Sequence, residues 1–530
     1  MRDHPPTPPP ASPPAPSTDK APLLIALPHG ATVSGVTTWA LRLARALPAR
    51  GRRVVVALHA PKPGERPLPA PALAGVEVAD LSSLPSLEHR GGDLAVFVRA
   101  YRDLVRSLRP TGGGPVVLSP NLLGDCYGIA ASICALEPES VRVVGWQHLD
   151  SPYDAAVLAR YEPVIARFVA VSPTLHDQLI AGLPRRAAEI ERVPYGVEVP
   201  GSPAPRPPLG PRPARLIYTG RIDDDQKRVG ALIAMSDELS RMGVDHRLTL
   251  LGGGPAEGEI DAACASRPRV RRLAELPPDH VARVLDEHDV FVLASRAEGL
   301  SLSLIEAMAR GCVPVVARTR SGAAAAVDDG RTGVIVEAPT ETDHAGVGRA
   351  MALGVRRALE IGIGAMSVAA HAGAGRRFGL WAHADAVDGV LSTASASGPR
   401  WWPASLPCAF TGSTPAGSGS VPSGAAERAM ELLGSLAGRR VVIHGAGRHT
   451  IELASVLATS PAVIVAVTDD DPAKHGRMLL GWPILAPREA ATTGATDVVI
   501  STWMNHGAVW ARRGVYTGQG LRVHAMYPTP

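Results

Sequence analysis

The stretch "HDVFVLASRAEGLSLSLIEAMARGCVPVVA", residues 288–317, decides the fold because it joins two apolar runs through a polar loop and a helical pattern. The apolar runs at 290–294 and 313–317 are typical of strands buried on both faces of a parallel sheet. Between them, apolar residues recur at helical spacing until Gly311, which ends the helix. The stretch therefore predicts a β-loop-α-β unit of a doubly wound sheet.

The same order of elements recurs along most of the chain. Buried strands are predicted, on the amino-terminal side of Gly201, at "APLLIALP" (21–28), "RRVVVALH" (52–59), "GPVVLSP" (114–120), "VRVVGWQ" (141–147) and "RFVAVSP" (167–173). Beyond it they are predicted at "ARLIYTG" (214–220), "HRLTLLGGG" (246–254) and "GVIVE" (333–337). The chain is thus expected to be an α/β protein in which two tandem doubly wound domains enclose a cleft at the carboxyl ends of their strands.

Shifts in composition indicate where the domains end. The Pro-rich residues 1–20 are expected to form a disordered tail, since they contain too little apolar surface to fold. Two domains are expected at 21–200 and 201–391, followed by a Pro/Gly/Ser/Thr-rich linker at 392–424, part of which should pack through Trp401 and Trp402. Residues 425–530 are expected to form a small Rossmann-like α/β domain.

Composition excludes several classes of protein. The 54 basic and 50 acidic residues are spread along 530 residues without a run of five or six like charges, so nucleic-acid binding is not indicated. The five cysteines are scattered, without the spacing of a zinc site or a disulfide framework. No apolar run is long enough to span a membrane or to form a signal peptide. We expect a cytoplasmic protein whose membrane contact is at most peripheral.

Two cations follow the strand "ARLIYTG". Arg221 and Lys227 lie in the polar loop between this strand and the next predicted helix, at the edge of the sheet where ligands bind in such folds. The planar guanidinium of Arg221 and the compact charge of Lys227 together are suited to binding a diphosphate. Each charge-assisted hydrogen bond contributes about 1.5–3 kcal/mol. The alternative is a solvated loop with ordinary surface cations, which the neighbouring "DDD" also favours.

Two carboxylates, Glu298 and Glu306, enclose the start of the helix in "EGLSLSLIE". The helix is predicted to start between Ser301 and Ser303, so that its free N–H groups and the positive end of its dipole form a phosphate seat at the same edge. Glu298 would lie in the loop and Glu306 one turn inside the helix, on different parts of one ligand. Alternatively, Ser303 and Glu306 form a capping box without a ligand role.

These residues also carry a family resemblance. "EGLSLSLIEAMARGCVPVVA", preceded by "DVFVLAS" and further upstream by "GRIDDDQKR", resembles the nucleotide-binding half of the retaining GT-B glycosyltransferases of family 4 (glycosyl transferases group 1). The signature of that family is a Glu, seven residues and another Glu, and "LLGGGP" and "DDGRTG" also occur here in the family's order. The resemblance covers about residues 21–390 and implies the GT-B architecture of two Rossmann-like domains that face a cleft.

The resemblance also implies roles for the residues of the second domain. Arg221 and Lys227 would hold the diphosphate of the donor, Glu298 would contact the transferred sugar, and Glu306 would bind the ribose hydroxyls. The backbone of the three residues after Glu298 would support the same phosphates: Gly299, Leu300 and Ser301. The family's acidic residue after the glycine near 322 is absent, because "SGAAAAV" supplies Ala325 instead.

The amino-terminal half resembles the family less closely. In "VSGVTTWALRLARALPARGRRVVVA", Ser34 replaces the first glycine of the family's glycine loop and leaves Gly35 to approach the phosphates. "VGWQHLDSP" is similar to the family's strand-end histidine, which implies that His148 faces the donor sugar and assists the reacting centre. The alternative is a structural histidine whose hydrogen bonds are satisfied within the protein.

The carboxyl-terminal domain contains part of a dinucleotide-binding pattern. "HGAGRHT" has Gly445 and Gly447, but Thr450 stands where the third glycine would be, and Asp469 lies near the position of a ribose-binding acid. Two readings stay open, a second nucleotide site at Gly445, Gly447 and Asp469, or a packed domain without a ligand.

Taken together, the sequence predicts a metal-independent, retaining glycosyltransferase that needs no cofactor. The donor would be a nucleotide-diphosphate sugar and the acceptor an unidentified glycan, lipid or small molecule. Two alternatives are another GT-B enzyme, such as a sugar-nucleotide epimerase, and a non-catalytic regulator that binds a nucleotide sugar.

Overall fold

The structure is a computed structural model that describes residues 20–410, apart from 62–66, 86, 88–93, 122, 207–211, 340–342 and 405, and residues 425–527, apart from 448, 451–452, 477 and 502–505. The chain divides into two compact units, Met1–Gly412 and Ser413–Pro530. Residues 1–19 and 411–424 lie outside the described residues, so the predicted tail and most of the predicted linker stay predictions.

The first unit begins with a seven-stranded parallel sheet in the order β3-β2-β1-β4-β5-β6-β7. Its strands are β1 (Leu23–Leu27), β2 (Val54–Leu58), β3 (Glu77–Asp80), β4 (Val116–Ser119), β5 (Val141–Gln147), β6 (Ile165–Ala170) and β7 (Ile190–Arg192). The helices between them are α1 (Gly35–Ala46), α2 (Ala95–Leu108), α3 (Gly124–Leu136), α4 (Pro152–Arg160) and α5 (Pro173–Gly182). Strand order reverses between β1 and β4, which opens a crevice at their carboxyl ends.

The second sheet of this unit has six parallel strands in the order β10-β9-β8-β11-β12-β13. They are β8 (Ala214–Thr219), β9 (His246–Leu251), β10 (Val270–Leu273), β11 (Val290–Leu293), β12 (Val313–Ala317) and β13 (Val334–Val336). The helices are α6 (Val229–Arg241), α7 (Glu257–Ala265), α8 (Pro278–Asp286), α9 (Leu302–Ala309), α10 (Ala323–Ala326), α11 (His344–Ile361), α12 (Ile363–Phe378) and α13 (Leu380–Ala396). The order reverses between β8 and β11, so the loops that carry the predicted donor residues meet there.

The second unit contains a mixed sheet of six strands in the order β16-β17-β15-β14-β18-β19. These are β14 (Arg440–His444), β15 (Val463–Thr468), β16 (Met478–Leu479), β17 (Trp482–Leu485), β18 (Asp497–Ile500) and β19 (Arg522–Ala525), of which β16 and β17 pair antiparallel. Its described helices are α14 (Ala425–Ser435), α15 (Ala454–Ala458), α16 (His506–Ala511) and α17 (Gly514–Thr517). The predicted fold class is confirmed: two doubly wound Rossmann-like sheets and a smaller carboxyl-terminal α/β sheet.

Three strands of the first unit escaped prediction, and each lies at an edge of its sheet. β3, β7 and β10 have only one neighbouring strand, and most of their residues are exposed or half-buried. An edge strand of this kind does not need the continuous apolar run that marks a central strand, so "EVAD", "IER" and "VRRL" carry no strong signal.

The segment predicted as a linker starts as folded structure. Helix α13 continues to Ala396, and the side chain of Trp402 is buried against Tyr161, with ring centroids 5.2 Å apart. Trp401, in contrast, is 60% exposed. The expectation that part of this segment packs therefore holds for Trp402 alone of the pair, and the described residues of 392–410 belong to the first unit.

Helix α13 packs back onto the first sheet through a buried ion pair. The Arg52 side chain is 1% exposed, and its Nε lies 2.6 Å from Oδ1 of Asp388. The other carboxylate oxygen of Asp388 accepts a hydrogen bond of 2.7 Å from Lys20, and Arg52 also donates to Ser392 at 2.9 Å. These bonds fix the helix that brings His383 to the Nε1 of Trp39, 3.2 Å away, beneath the cleft.

Within the part of the chain that the structure describes, no helix is both long and apolar enough to cross a membrane.

Replacing Asp388 by Asn should lower the free energy of unfolding by about 3 kcal/mol, because it leaves the buried charge of Arg52 uncompensated. Chemical denaturation of the whole chain measures the change. Asp385→Asn is the matched control, since Asp385 lies on the same helix and pairs with Arg50 but has a side chain that is 62% exposed. Equal effects of the two substitutions would show that the buried pair does not anchor the helix.

Candidate active site

The loops that follow β8 and β11 meet through an ion pair. Lys227 Nζ lies 2.6 Å from Oε1 of Glu298, and the two side chains are 17% and 6% exposed. The residues predicted to bind the diphosphate and the sugar are therefore direct partners of each other. The pair compensates both charges, which are largely shielded from solvent. A ligand that binds either group must therefore replace this ion pair.

Two neighbouring residues join the same loops. Arg228 Nε donates to the carbonyl of Ala294 at 2.6 Å, and Gln226 Nε2 donates to the carbonyl of Ala297 at 3.0 Å. Arg228 is buried and has a left-handed backbone, with φ of 52°. Burial, together with the nearby Arg296, lowers the pKa of its guanidinium to about 10. The sequence analysis missed Arg228, although a cation next to Lys227 was the signal available.

Arg221 is the most exposed of the predicted donor-binding cations, with a side chain that is 42% exposed. Its Nη2 lies 3.0 Å from Oδ2 of Asp223. The loop that carries it packs tightly against the next loop, because a Cβ at Gly252 (φ 146°) would lie 1.9 Å from the Gly220 carbonyl oxygen. Only glycine tolerates that approach, and it fixes Arg221 at the sheet edge.

The predicted phosphate seat lies at the start of α9 and stays a prediction. Ser301 is the N-cap of α9, and its side chain accepts a hydrogen bond from the N–H of Leu304 at 3.4 Å. Among the described residues, the backbone N–H groups of Gly299, Leu300 and Ser301 donate to no protein acceptor. Free N–H groups at the start of a helix, together with the helix dipole, favour an anion.

Gly299 brings this seat against the first sheet. A Cβ on Gly299 would lie 1.9 Å from the carbonyl oxygen of His148 and 3.2 Å from the Cα of Leu149. No residue with a side chain fits there without a shift of backbone. The loop before α9 is therefore in contact with the loop after β5, and the residues predicted from both halves come together.

The capping-box alternative for Glu306 is wrong. Ser301, two residues earlier than Ser303, caps the helix, so Glu306 lies beyond the position from which a capping box could return to the cap. The carboxylate of Glu306 instead accepts a hydrogen bond of 2.5 Å from Nη2 of Arg42 on helix α1. The predicted ribose role of Glu306 stays a prediction, and Arg42 is a site residue that the sequence analysis missed.

His148 is buried with both ring nitrogens engaged. Nε2 lies 3.1 Å from Oδ1 of Asn121, and Nδ1 lies 2.7 Å from the hydroxyl of Tyr195. Asn121 donates its amide N–H groups to the carbonyls of Ala26 and Ser119, so its Oδ1 must accept. This assigns the proton to Nε2 and makes Nδ1 the acceptor of the Tyr195 hydroxyl. Burial lowers the pKa of His148 to about 3, so the ring is neutral at physiological pH.

Gly35 begins helix α1 and is exposed. The side chain of Ser34 caps the helix by accepting a hydrogen bond from the N–H of Thr37 at 3.1 Å. A Cβ on Gly35 would meet nothing within 4 Å. The serine that replaces the family's first glycine thus has a capping role, and space for a ligand is left above Gly35.

In the second unit, the residues of the possible nucleotide site also come together. Oδ2 of Asp469 accepts a hydrogen bond of 2.7 Å from the N–H of Ala446, between Gly445 and Gly447, and Nζ of Lys474 lies 3.1 Å away. Burial alone would raise the pKa of Asp469, but these bonds and the N–H of Asp471 outweigh it and lower the pKa. Both carboxylate oxygens of Asp469 thus have hydrogen-bond donors within the protein. This arrangement favours a packed domain without a ligand, and the second nucleotide site stays a prediction.

Comparison with known proteins gives a family match over the residues that form the second sheet. The family model described as Glycosyl transferases group 1 matches residues 213–350. The D-inositol 3-phosphate glycosyltransferase of Rhodococcus opacus is 28% identical over 243 residues, which are 42% of this chain and 54% of that protein. The alpha-D-kanosaminyltransferase of Streptomyces kanamyceticus is 30% identical over 124 residues, which are 23% of this chain and 32% of that protein. The alignments thus span about half or less of these relatives.

Solved structures resemble this chain over about two thirds of its length or more. The complex of Anabaena HepE with UDP-glucose has a TM-score of 0.55 at 17% identity and covers 70% of this chain and 99% of that one. Sucrose-phosphate synthase from Thermosynechococcus elongatus has a TM-score of 0.54 at 17% identity, with 70% and 98% covered. At such low identity, the likeness shows the GT-B fold and nothing finer.

The buried, neutral state of His148 predicts how its replacement changes the response to pH. With a folded pKa of about 3 against the ordinary 6.5, the unfolded chain binds a proton between these values that the folded chain does not. The neutral ring of His148 therefore contributes to the free energy of unfolding. This contribution is complete above the ordinary pKa of 6.5, and it falls by about 1.4 kcal/mol for each pH unit between that value and the folded pKa. His148→Gln should therefore make the free energy of unfolding depend less steeply on pH in this window. Denaturation curves at several pH values test it; an unchanged slope would mean that His148 titrates normally.

Proposed function

Since residues 213–350 form a domain of the glycosyl transferases group 1 family within a GT-B fold, we propose that this chain is a retaining glycosyltransferase that uses a nucleotide-diphosphate sugar. One observation carries the proposal. The Lys227–Glu298 pair lies at the crevice where strand order reverses between β8 and β11, beside free N–H groups at the start of α9. This crevice is where nucleotides bind in doubly wound folds.

The donor would be bound through its diphosphate and its ribose. Lys227 and Arg221 would bind the diphosphate, together with the N–H groups of Gly299 to Ser301, and Glu306 would accept hydrogen bonds from the ribose hydroxyls. Two cations and a helix dipole balance the negative charge that develops on the leaving diphosphate, so the transfer would need no divalent metal. HepE was solved with UDP-glucose, which makes uridine diphosphate sugars the first donors to test.

The transfer itself would proceed on one face of the sugar. The bond between the anomeric carbon and the leaving phosphate oxygen breaks, and the acceptor oxygen bonds to the same face, giving its proton to the departing phosphate. Glu298, freed from Lys227 as that cation turns to the diphosphate, would hold the sugar hydroxyls. His148, with its neutral ring fixed by Asn121 and Tyr195, would shape the sugar pocket, since no ring nitrogen is left to move a proton.

The acceptor would bind against the first sheet, between the loops that follow β1, β4 and β5. Its identity is a separate question. The two relatives carry different names, D-inositol 3-phosphate glycosyltransferase and alpha-D-kanosaminyltransferase, and each alignment covers about half of that protein or less.

The decisive experiment combines a melting-shift screen against nucleotide sugars with an assay of nucleoside diphosphate release. Glu298→Gln should lower turnover by about 100-fold because it removes a charge at the reacting sugar. Gln keeps a hydrogen-bond acceptor for Lys227, so the fold should persist, which the melting temperature checks.

Glu360→Gln is the control for this substitution, since Glu360 is a surface carboxylate on α11 with a side chain that is 66% exposed. The proposal fails if no nucleotide sugar raises the melting temperature, or if Glu298→Gln turns over donor as fast as the unaltered chain. Release of diphosphate in the absence of any acceptor would favour the epimerase alternative.

Arg42 should act as a positioning residue for Glu306, because it holds one carboxylate oxygen and leaves the other for the ribose. Arg42→Gln and Glu306→Gln should each weaken the binding of a nucleoside diphosphate about tenfold but leave pyrophosphate affinity unchanged. Lys227→Ala should weaken both ligands. Calorimetry separates the two patterns, and tighter nucleoside diphosphate binding by Arg42→Gln would mean that Arg42 competes with the ribose.

A further inference from the structure

A second charged site lies at the opposite edge of the donor-side sheet. At the amino-terminal ends of β8, β9 and β10 there is a pocket of about 300 Å³ that is lined by four arginines and one carboxylate, that of Glu287. The arginines are Arg215, Arg247, Arg269 and Arg271. None of the residues assigned to the donor lines this pocket, because the donor loops follow the carboxyl ends of the same strands.

The sheet places like charges side by side in this pocket. Arg215 on β8 is directly opposite Arg247 on β9, and Arg271 on β10 is opposite Thr249, two residues further along. Like charges in register destabilise a sheet unless something neutralises them. Asp289, which is fully buried, neutralises Arg215 at 2.8 Å.

Two of the four arginines have no carboxylate partner among the described residues. Arg269 pairs with Asp245 at 2.6 Å. Within the described residues, the guanidinium of Arg247 and the terminal nitrogens of Arg271 form no hydrogen bond or ion pair with the protein. Both side chains belong to exposed residues, and Glu287, the one carboxylate in the lining, cannot by itself balance both of these charges.

Arg271 is held in place by a buried chain of hydrogen bonds. Its Nε donates to the hydroxyl of Thr249 at 3.1 Å, and that hydroxyl lies 2.9 Å from Nε2 of His288. Nδ1 of His288 must donate to the carbonyl of Val284, 2.6 Å away, so Nε2 accepts the Thr249 proton. Thr249 and His288 are 2% and 4% exposed. Such support fixes the direction of the Arg271 fork and reduces the entropy lost when it binds a ligand.

We propose that this pocket binds the phosphate group of a small phosphomonoester, between the forks of Arg247 and Arg271. Guanidinium forks match phosphate oxygens in bidentate geometry. The concave shape and modest volume suit a single phosphate with a small substituent better than an extended polyanion. The same chemistry is offered by a free phosphate ester and by the headgroup of phosphatidic acid. This site does not depend on the proposed transferase activity.

The test uses the full chain and two probes. Glycerol 3-phosphate, followed by calorimetry at low ionic strength, represents the free ester. Flotation with phosphatidylcholine vesicles, with and without phosphatidic acid, represents the lipid. Arg247→Ala and Arg271→Ala should each weaken binding of the active probe about tenfold or more. Arg349→Ala, which removes an exposed arginine from α11, should leave it unchanged.

Each outcome decides the proposal. Binding of glycerol 3-phosphate that depends on Arg247 and Arg271 supports a free ester, and binding of phosphatidic acid vesicles alone with the same dependence supports a headgroup. Lys227→Ala must retain the binding, because the donor crevice lies at the other edge of the sheet. The proposal is overturned if neither probe binds, if Arg349→Ala is as harmful as Arg247→Ala, or if Lys227→Ala abolishes the signal.

Discussion

The contact between the Gly299 backbone and the His148 carbonyl is the constraint on which the arrangement of the cleft depends. It leaves no room for a Cβ, so the loop before α9 can take only the path observed. That path sets where α9 begins, and the start of α9 in turn puts Glu298 beside Lys227 and Glu306 within reach of the first sheet. On the other side, His148 is fixed by hydrogen bonds to Asn121 and Tyr195. One backbone contact thus couples the two halves of the first unit.

Charge compensation explains much of what surrounds that contact. Four charged groups of the crevice lie in two ion pairs, Lys227 with Glu298 and Arg42 with Glu306, so none of these four is a buried, isolated charge. Isolated burial would cost several kcal/mol for each ion. The pairs also span different distances along the chain. One joins two loops of the same sheet, and the other joins the two halves.

The sequence alone was sufficient for the central strands, the helix after "EGL" and the edge at which Arg221, Lys227 and Glu298 converge. These follow from local signals: apolar runs, a glycine stop and polar residues just after a strand. It was not sufficient for partners distant in the chain. Arg42 lies 264 residues from Glu306, and no local pattern relates them. The capping-box error has the same origin, since Ser301 and Ser303 are equivalent locally and the contact at Gly299 selects between them.

The return of the chain after α13 has a consequence for anyone who shortens this protein. The ring of Phe410 lies on the backbone of Gly124, where an added Cβ would be 2.3 Å away, and it packs edge-on against Tyr153. Trp402 covers Tyr161 nearby. A truncation at the end of α13 would remove these aromatic side chains and expose the apolar surface that they cover. An exposed apolar patch of this kind promotes aggregation. In the described part of the first unit, aromatic anchors thus extend the packed core beyond the last regular secondary structure.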